Sequence, residues 1–175
     1  MVEAAQVTGI GDRGHEVGPP ELRRAIELLF FAYRDFTGEA DQLLERYGFG
    51  RAHHRVIYFV GRHPGVSVSG LLDILKITKQ GLSPVLSQLV RDGFVIARPD
   101  RADRRRRRLF LTEEAQALER VLTARQSARL AAAFAEAGPD AASGFTQVLE
   151  AIIAPEVRHR VALAFPDPME GSPRP

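Results

Sequence analysis

The feature that most constrains the fold is a pair of helical segments joined by a very short turn. The second segment, TKQGLSPVLSQLVRDG, repeats apolar residues at the spacing of one complete helical stripe: Leu82, Val85, Leu86, Leu89 and Val90. Thr78 is suited to cap its start and Gly93 to follow its end. The first segment, VSVSGLLDIL, offers Ser67 as a cap and an apolar face made of Leu71, Leu72 and Leu75. Together the two segments predict a helix-turn-helix.

Gly81 and Pro84 depart from this helical pattern. A proline inside a helix loses one hydrogen bond and costs about 3 kcal/mol, whereas the first helical position accepts it. Two interpretations therefore stay open. Either Pro84 lies within the second helix and kinks it, or Ser83 caps a helix that starts at Pro84 and residues 78–82 form a looser turn.

Two β-strands separated by a basic loop are predicted to follow. Residues 94–98, FVIAR, are rich in β-formers, and residues 107–112, RRLFLT, alternate so that Leu109 and Leu111 share one face. Seven Arg and two Asp between positions 98 and 108 give a local charge of +5, in a chain whose net charge is +2. Such an asymmetry indicates one surface for an anionic partner. A basic hairpin directly after a helix-turn-helix predicts a wing.

Long helices are predicted on both sides of this central unit. Apolar spacing favours helices over residues 21–47, 51–62, 113–137 and 141–153, with Thr112 as the cap of the third. The expected fold class is mostly α, a winged helix-turn-helix with an α+β wing and long N- and C-terminal helices. The expected boundaries are a disordered arm at 1–18, an N-terminal helix at 19–50, the winged unit at 51–112, C-terminal helices at 113–165 and a disordered tail at 166–175.

The composition argues against several function classes. The chain has no Cys, which removes disulfides and thiolate metal sites. Neither a signal peptide nor an apolar run long enough for a membrane span is evident, so we expect a cytoplasmic protein without a membrane partner. Adjacent histidines such as His53 and His54 point apart on a helix and do not chelate one ion easily. Because no nucleophile–base pair, phosphate loop or metal spacing appears, we expect no enzyme, no cofactor and no metal.

The order of these elements resembles the MarR family of winged-helix transcriptional regulators. The stretch DRADRRRRRLFLTEEA is similar to the family's wing pattern, with Asp103-Arg104-Arg105 followed by Leu111-Thr112. The stretches GVSVSGLLDILKITKQ and LVRDGFV also match it without gaps. The resemblance covers about residues 20–153 and is specific over 65–115. It implies a homodimer joined by the N- and C-terminal helices, bound to a pseudo-palindromic operator in double-stranded DNA. It also implies a repressor that a small molecule, often aromatic or phenolic, releases.

The resemblance places the second helix in the DNA major groove, with its N-terminal residues nearest the base edges. Lys79 would reach guanine or phosphate, and Gln80 would pair with adenine. The candidate DNA-binding residues on this helix are Thr78, Lys79, Gln80, Ser83, Pro84, Ser87 and Gln88. An ordinary solvated helix face is the alternative interpretation of the same residues.

The wing supplies a second set of candidate DNA contacts. Arginine suits a narrow minor groove, which is the expected site of the tip residues Arg101, Arg104 and Arg105. On the strand, Arg106 and Arg108 are expected to reach flanking phosphates. We expect the carboxylates of Asp100 and Asp103 to orient neighbouring arginines by charge-assisted hydrogen bonds. A nuclear-targeting run or a solvated charge cluster is the competing interpretation.

Aromatic side chains on the first two helices have two interpretations. Ordinary core or dimer packing is one, and a ligand cleft is the other. The candidate cleft residues are Phe31, Phe36, Tyr58 and Phe59. At the level of function, a winged-helix module that mainly binds protein is the alternative to a DNA-binding regulator.

Overall fold

The computed structural model describes residues 17–100, 103–155 and 157–158 of the 175-residue chain. Its elements are α1 (Pro19–Glu45), α2 (Arg51–Arg62), β1 (Val66–Ser67), α3 (Val68–Leu75), α4 (Lys79–Arg91), β2 (Val95–Pro99), β3 (Arg107–Leu111), α5 (Glu113–Ala137) and α6 (Ala141–Ile152). The predicted fold class, mostly α with a small antiparallel sheet, is confirmed. Nearly all of the predicted arm at 1–18 and the whole predicted tail at 166–175 lie outside the described residues.

The sheet has one strand more than the sequence pattern predicts. Its order is β1-β3-β2, and both pairings are antiparallel. The predicted hairpin is present, with Val95 opposite Leu111 and Pro99 opposite Arg107. The added strand β1 pairs Val66 with Leu109. Because β1 has only two residues, it is too short to show the alternation by which a strand is recognised in a sequence.

Side-chain caps define the two helices of the helix-turn-helix. The hydroxyl oxygen of Ser67 accepts a hydrogen bond from the amide of Gly70 at 3.0 Å, which caps α3. That of Thr78 accepts from the amide of Gly81 at 3.2 Å, which caps α4. Between the helices, Lys76 takes the left-handed conformation with a φ of 53°. Both predicted caps are confirmed: Ser67 caps the start of α3, and Thr78 caps the start of α4 directly after the turn.

Pro84 lies within α4 and does not begin it. The helix starts at Lys79 and runs without a break to Arg91. The interpretation in which Ser83 caps a helix starting at Pro84 is therefore wrong. The physical reason is that Thr78 caps the helix and Leu82 is buried, so the first turn of α4 already lies before Pro84.

The core of the first compact unit, which ends at Arg125, is built around α2. Three α2 side chains, Val56, Ile57 and Val60, are at most 1% exposed. They belong to one apolar cluster with buried residues of α1, α3, α4, β2, β3 and the first part of α5. Each such side chain contributes about 1.5–3 kcal/mol on burial. This cluster holds α4 and the wing on one framework.

The second compact unit begins at Gln126 and contains the rest of α5 and α6. None of the residues of α6 is buried. Its clearest internal contact is between the rings of Phe134 and Phe145, whose centroids are 5.6 Å apart. In the part of the chain that the structure describes, no helix combines the length and apolarity needed to cross a membrane.

Candidate nucleic-acid interface

The first turns of α4 present a polar, exposed surface. Lys79 and Gln80 occupy the first two positions of the helix, and both are exposed. Ser83, Pro84 and Ser87 are exposed as well. The opposite stripe is fixed to the core by Leu82, at 2% exposure, and by Leu89, at 0%. Because the apolar stripe of α4 is buried against the core, the polar residues on the opposite side of the helix face outward.

Thr78 and Gln88 are engaged within the protein. The Thr78 hydroxyl accepts the capping bond of α4, although the residue itself is exposed. The sequence pattern places Gln88 on the exposed face, but the residue is half-buried. Its amide oxygen lies 3.0 Å from Nε2 of His53, and its amide nitrogen donates to the carbonyl of Gly48 at 3.3 Å. The sequence pattern missed this because it shows the face of a helix and not its tertiary partners.

A tight turn at Asp103 shapes the tip of the wing. The Asp103 carboxylate accepts a hydrogen bond from the amide of Arg105 at 3.0 Å, and its carbonyl accepts from the amide of Arg106 at 2.9 Å. The Arg106 guanidinium also lies 3.9 Å from that carboxylate, in an exposed pair. The side chains of Arg104, Arg105 and Arg106 are all exposed. Arg101, the remaining predicted residue of the tip, lies outside the described residues.

Arg108 is held by the sheet and differs in this from the arginines of the tip. Its Nε donates to the Asp100 carboxylate at 2.6 Å, and its Nη1 donates to the carbonyl of Gly65 at 3.1 Å. Asp100 is buried, and its amide donates to the carbonyl of Arg106 at 3.0 Å. Two acceptors within the protein bind the guanidinium of Arg108, although the residue is exposed, and its contact with flanking phosphates stays a prediction. The hydrogen bond from Arg108 to the Asp100 carboxylate is the kind of contact by which Asp100 would orient this arginine.

Two further arginines of the hairpin extend the basic surface. Arg98 places its guanidinium carbon 5.4 Å from the centre of the Phe110 ring, a cation–π contact across β2 and β3. Arg107 lies on the same face of β3 as the buried Leu109, yet Arg107 is exposed. The sequence pattern gave no reason to single out Arg98, since only the register of the two strands brings it to Phe110.

The four candidate cleft aromatics lie on α1 and α2 and differ in exposure. Phe31 is exposed on α1 and contacts the ring of Phe30. Phe36 is half-buried on the same helix. On α2, the half-buried rings of Tyr58 and Phe59 meet edge to face at 5.2 Å. The cleft predicted from these residues stays a prediction.

Two cavities open elsewhere in the first unit. One, of about 160 Å³, lies beside the start of α4 and is mostly apolar, with Arg55, Val56, Leu75, Ile77 and Leu82 among its walls. The guanidinium of Arg55 also donates to the Tyr33 hydroxyl at 2.8 Å. The other, of about 290 Å³, is more polar and is lined by residues that include Gly61, Phe110, Gln116 and Glu119.

The two adjacent histidines of α2 have different surroundings. His53 is half-buried and hydrogen-bonded, whereas His54 is only 8% exposed. Burial lowers the pKa of His54, and the negative charges of Asp41 and Glu119 oppose that effect only in part. Among the described residues, no three His, Asp or Glu side chains are placed to hold a metal ion.

Comparison with known proteins gives consistent matches. The MarR family model matches residues 47–106. The chain is 49% identical over 138 residues to the HTH-type transcriptional regulator PetP of Rhodobacter capsulatus, a match that covers 79% of this chain and 83% of the relative. Streptococcus pneumoniae FabT, solved in complex with DNA, aligns with a TM-score of 0.67 at 19% identity, covering 73% of this chain and 92% of that one. A MarR transcriptional regulator from Methanosarcina mazei aligns at 0.61 and 24% identity, covering 75% and 94%. Both structural likenesses concern the fold.

Proposed function

Because the chain belongs to the MarR family, we propose that it is a DNA-binding transcriptional regulator. The observation that carries the proposal is the combination, on one core, of an outward-facing start of α4 and an arginine-rich wing. The similarity to PetP, a relative whose name is that of a transcriptional regulator, supports the same function. The family is one of regulators and not of enzymes. Since such a protein acts where the DNA is, we expect it in the cytoplasm.

Within this proposal, α4 reads the major groove and the wing contacts the backbone and the minor groove. Lys79 and Gln80 reach base edges from the first turn of α4, and Ser83 and Ser87 contact phosphates. Arg104, Arg105 and Arg106 supply charge at the wing tip, where the minor-groove potential attracts arginine. Arg108 and Asp100 support the wing from within.

We include a homodimer in the proposal, since two helix faces are exposed among the described residues of one chain. On α1, the exposed large apolar side chains are Leu22, Ile26, Leu28, Leu29, Phe30, Phe31 and Tyr33. On α6 they are Phe145, Val148 and Ile152. A second copy of the chain would remove this surface from water, which monomeric soluble proteins seldom expose in contiguous patches. Light scattering at micromolar concentration should give about twice the 19.3 kDa of one chain.

The dimer also fixes a geometric expectation for the operator. A pair of winged helices related by a two-fold axis would bind a pseudo-palindrome with half-sites about 34 Å apart, one turn of DNA. Insertion of about five base pairs between the half-sites rotates one of them by half a turn and should abolish tight binding. Repression of the target promoter, released by an effector, is the regulatory mode that the family resemblance predicts.

For the effector we propose a small molecule with an apolar body and one negatively charged group, bound in the cavity beside the start of α4. Its walls are mostly apolar, and Arg55 supplies a positive charge. A molecule there would contact Leu82 and the turn at Ile77, so it would act on α4 directly. The aromatic residues Phe31, Phe36, Tyr58 and Phe59 keep a role in this proposal only if dimerisation brings further walls to them.

Selection of genomic DNA fragments by the purified protein tests the main proposal. Bound fragments should share a pseudo-palindromic sequence, and an electrophoretic band with that sequence should survive an excess of random competitor DNA. A protein-interaction module would give no band that resists the competitor. In that case, co-purification of a partner would replace DNA selection as the route to the function.

A further inference from the structure

A chain of hydrogen bonds joins the last turn of α4 to the turn between α1 and α2. The amide of Gly50 donates to Nδ1 of His53 at 3.1 Å. Nε2 of His53 lies 3.0 Å from the amide oxygen of Gln88. The amide nitrogen of Gln88 then donates to the carbonyl of Gly48 at 3.3 Å. Helix α4 is thus joined by directional bonds to residues 35 and 40 positions earlier in the chain. We call this set of hydrogen bonds among Gly48, Gly50, His53 and Gln88 the tie.

The two ends of this chain determine the direction of every bond within it. A backbone amide only donates, so Nδ1 of His53 carries a lone pair and the proton of the neutral ring lies on Nε2. Nε2 therefore donates to the oxygen of Gln88. At the other end, the carbonyl of Gly48 only accepts, so the nitrogen of the Gln88 amide faces it. Both ends require the same tautomer and the same amide orientation.

Aromatic packing holds the ring of His53 in this arrangement. The ring stacks on that of Phe49, with centroids 4.9 Å apart and planes 15° from parallel. Phe49 is 4% exposed and meets Phe94 edge to face at 4.8 Å. Gly48 takes a positive φ of 68°, which turns the chain so that its carbonyl reaches Gln88. His53 and Gly48 are thereby held in place by their own surroundings.

We propose that His53 is a positioning residue for DNA reading, and that it acts through Gln88 to set the rotation of α4 about its axis. Burial of Leu82 and Leu89 determines which face of α4 meets the core, but it defines the rotation of the helix only coarsely, because the hydrophobic effect is non-directional. Hydrogen bonds weaken steeply when misaligned, so the tie specifies the angle. The directions of Lys79 and Gln80 depend on it. The inference rests on the proposed function and assigns Gln88 to this tie instead of to a base.

A double-mutant cycle measures the tie. The variants are His53→Phe, Gln88→Met and the two combined, and His63→Phe is the matched control. His63, the residue that follows α2, is half-buried and stacks on Phe59, so the control changes a similar ring outside the tie. The probe is a genomic fragment selected by the wild-type protein, compared with random DNA of equal length.

Each single variant should lose roughly threefold to tenfold in affinity for the selected fragment, the scale of one lost hydrogen bond. The double variant should lose less than the sum of the two single losses, because His53→Phe and Gln88→Met both remove the hydrogen bond between the two side chains. Affinity for random DNA should change by less than about twofold, since phosphate contacts dominate it. His53→Gln, which keeps a donor for Gln88, should recover most of the loss. If the phenylalanine variant does not fold, His53→Met takes its place in the cycle.

Nitrogen-15 NMR of the wild-type protein supplies a readout that does not depend on DNA. It should place the proton of the neutral His53 ring on Nε2. A proton on Nδ1, additive losses in the cycle, or a loss confined to Gln88→Met would overturn the inference, and the last result would make Gln88 a direct DNA contact. A wild-type protein that selects no fragment would contradict the proposed function and with it this inference. Wild-type selection followed by an additive cycle would contradict only the tie.

Discussion

The carboxylate of Asp100 accepts a hydrogen bond of 2.6 Å from Nε of Arg108, across the hairpin that forms the wing. The Asp100 side chain is 11% exposed and that of Arg108 is 47% exposed. The same guanidinium donates to the carbonyl of Gly65, in the turn before β1. One arginine therefore links the wing to the rest of the sheet, whereas Arg104 and Arg105, a few positions earlier in the same run, are exposed at the tip.

Replacement of Arg108 by Ala should destabilise the fold, and replacement of Arg107 should not. Loss of the Arg108 guanidinium leaves the buried Asp100 without this partner. We expect the free energy of unfolding to fall by about 1–2 kcal/mol, low in the range for bonds to charged groups because Arg108 is half-exposed. Replacement of the exposed Arg107 removes the same charge and should cost less than about 0.5 kcal/mol. Urea denaturation at neutral pH measures both, and equal losses would show that charge number matters and the Asp100 contact does not.

The sequence predicted what depends on local patterns and missed what depends on tertiary contacts. Thr78 and Ser67 cap helices through residues three positions away, so their sequence context was enough. Gln88 carries the same local signal as the exposed Ser87, yet a partner 35 residues earlier turns it inward. Arg108 belongs to a run of five arginines that sequence alone does not distinguish. Only the position of Asp100 and Gly65 in the folded sheet sets it apart.

Stability should fall on mild acidification because of His54. Burial lowers the pKa of this histidine in the folded state, so the unfolded state binds more protons just below its ordinary value of about 6.5. The stabilising effect of the neutral, buried ring is complete above that value and is lost as the pH falls toward the folded pKa. Thermal unfolding between about pH 7.5 and pH 5.5 should show the midpoint decreasing. In His54→Gln, which does not titrate, the dependence should flatten, and an unchanged slope would assign the effect to other groups.

The left-handed conformation of Lys76 should carry a measurable cost. A non-glycine residue there is disfavoured by roughly 1–2 kcal/mol, and its φ is 53°. Glycine relieves that strain but adds freedom to the unfolded chain, which offsets part of the gain. We therefore expect Lys76→Gly to exceed Lys76→Ala by about 0.5–1 kcal/mol in unfolding free energy. The alanine variant removes the same side chain and serves as the control, so equal stability of the two would mean that the turn imposes no strain.

The wing and α4 should differ in how salt affects their contribution to DNA binding. Phosphates and the minor groove carry little sequence information, so Arg104→Ala combined with Arg105→Ala should weaken selected and random DNA by similar factors. The slope of log affinity against log salt concentration should become shallower by about 0.9 for each phosphate that the variant no longer neutralises. The paired variant Arg125→Ala and Arg129→Ala, which removes two exposed arginines of α5, controls for the change in net charge and should keep the slope.

Replacement of Gln80 by Ala should weaken binding to the selected DNA without weakening binding to random DNA. Gln80 lies in the exposed first turn of α4. The bidentate contact to adenine that we propose for its side chain is worth about 1–3 kcal/mol. The loss should appear on the selected sequence alone, with the salt slope nearly unchanged, because an uncharged amide releases no counterions. Titrations of both DNAs at several salt concentrations separate the two effects. If Gln80→Ala weakens random DNA as much as the selected sequence, the bases are not read from the first turn of α4. Base reading would then have to lie further along the same exposed face, at Ser83 or Ser87.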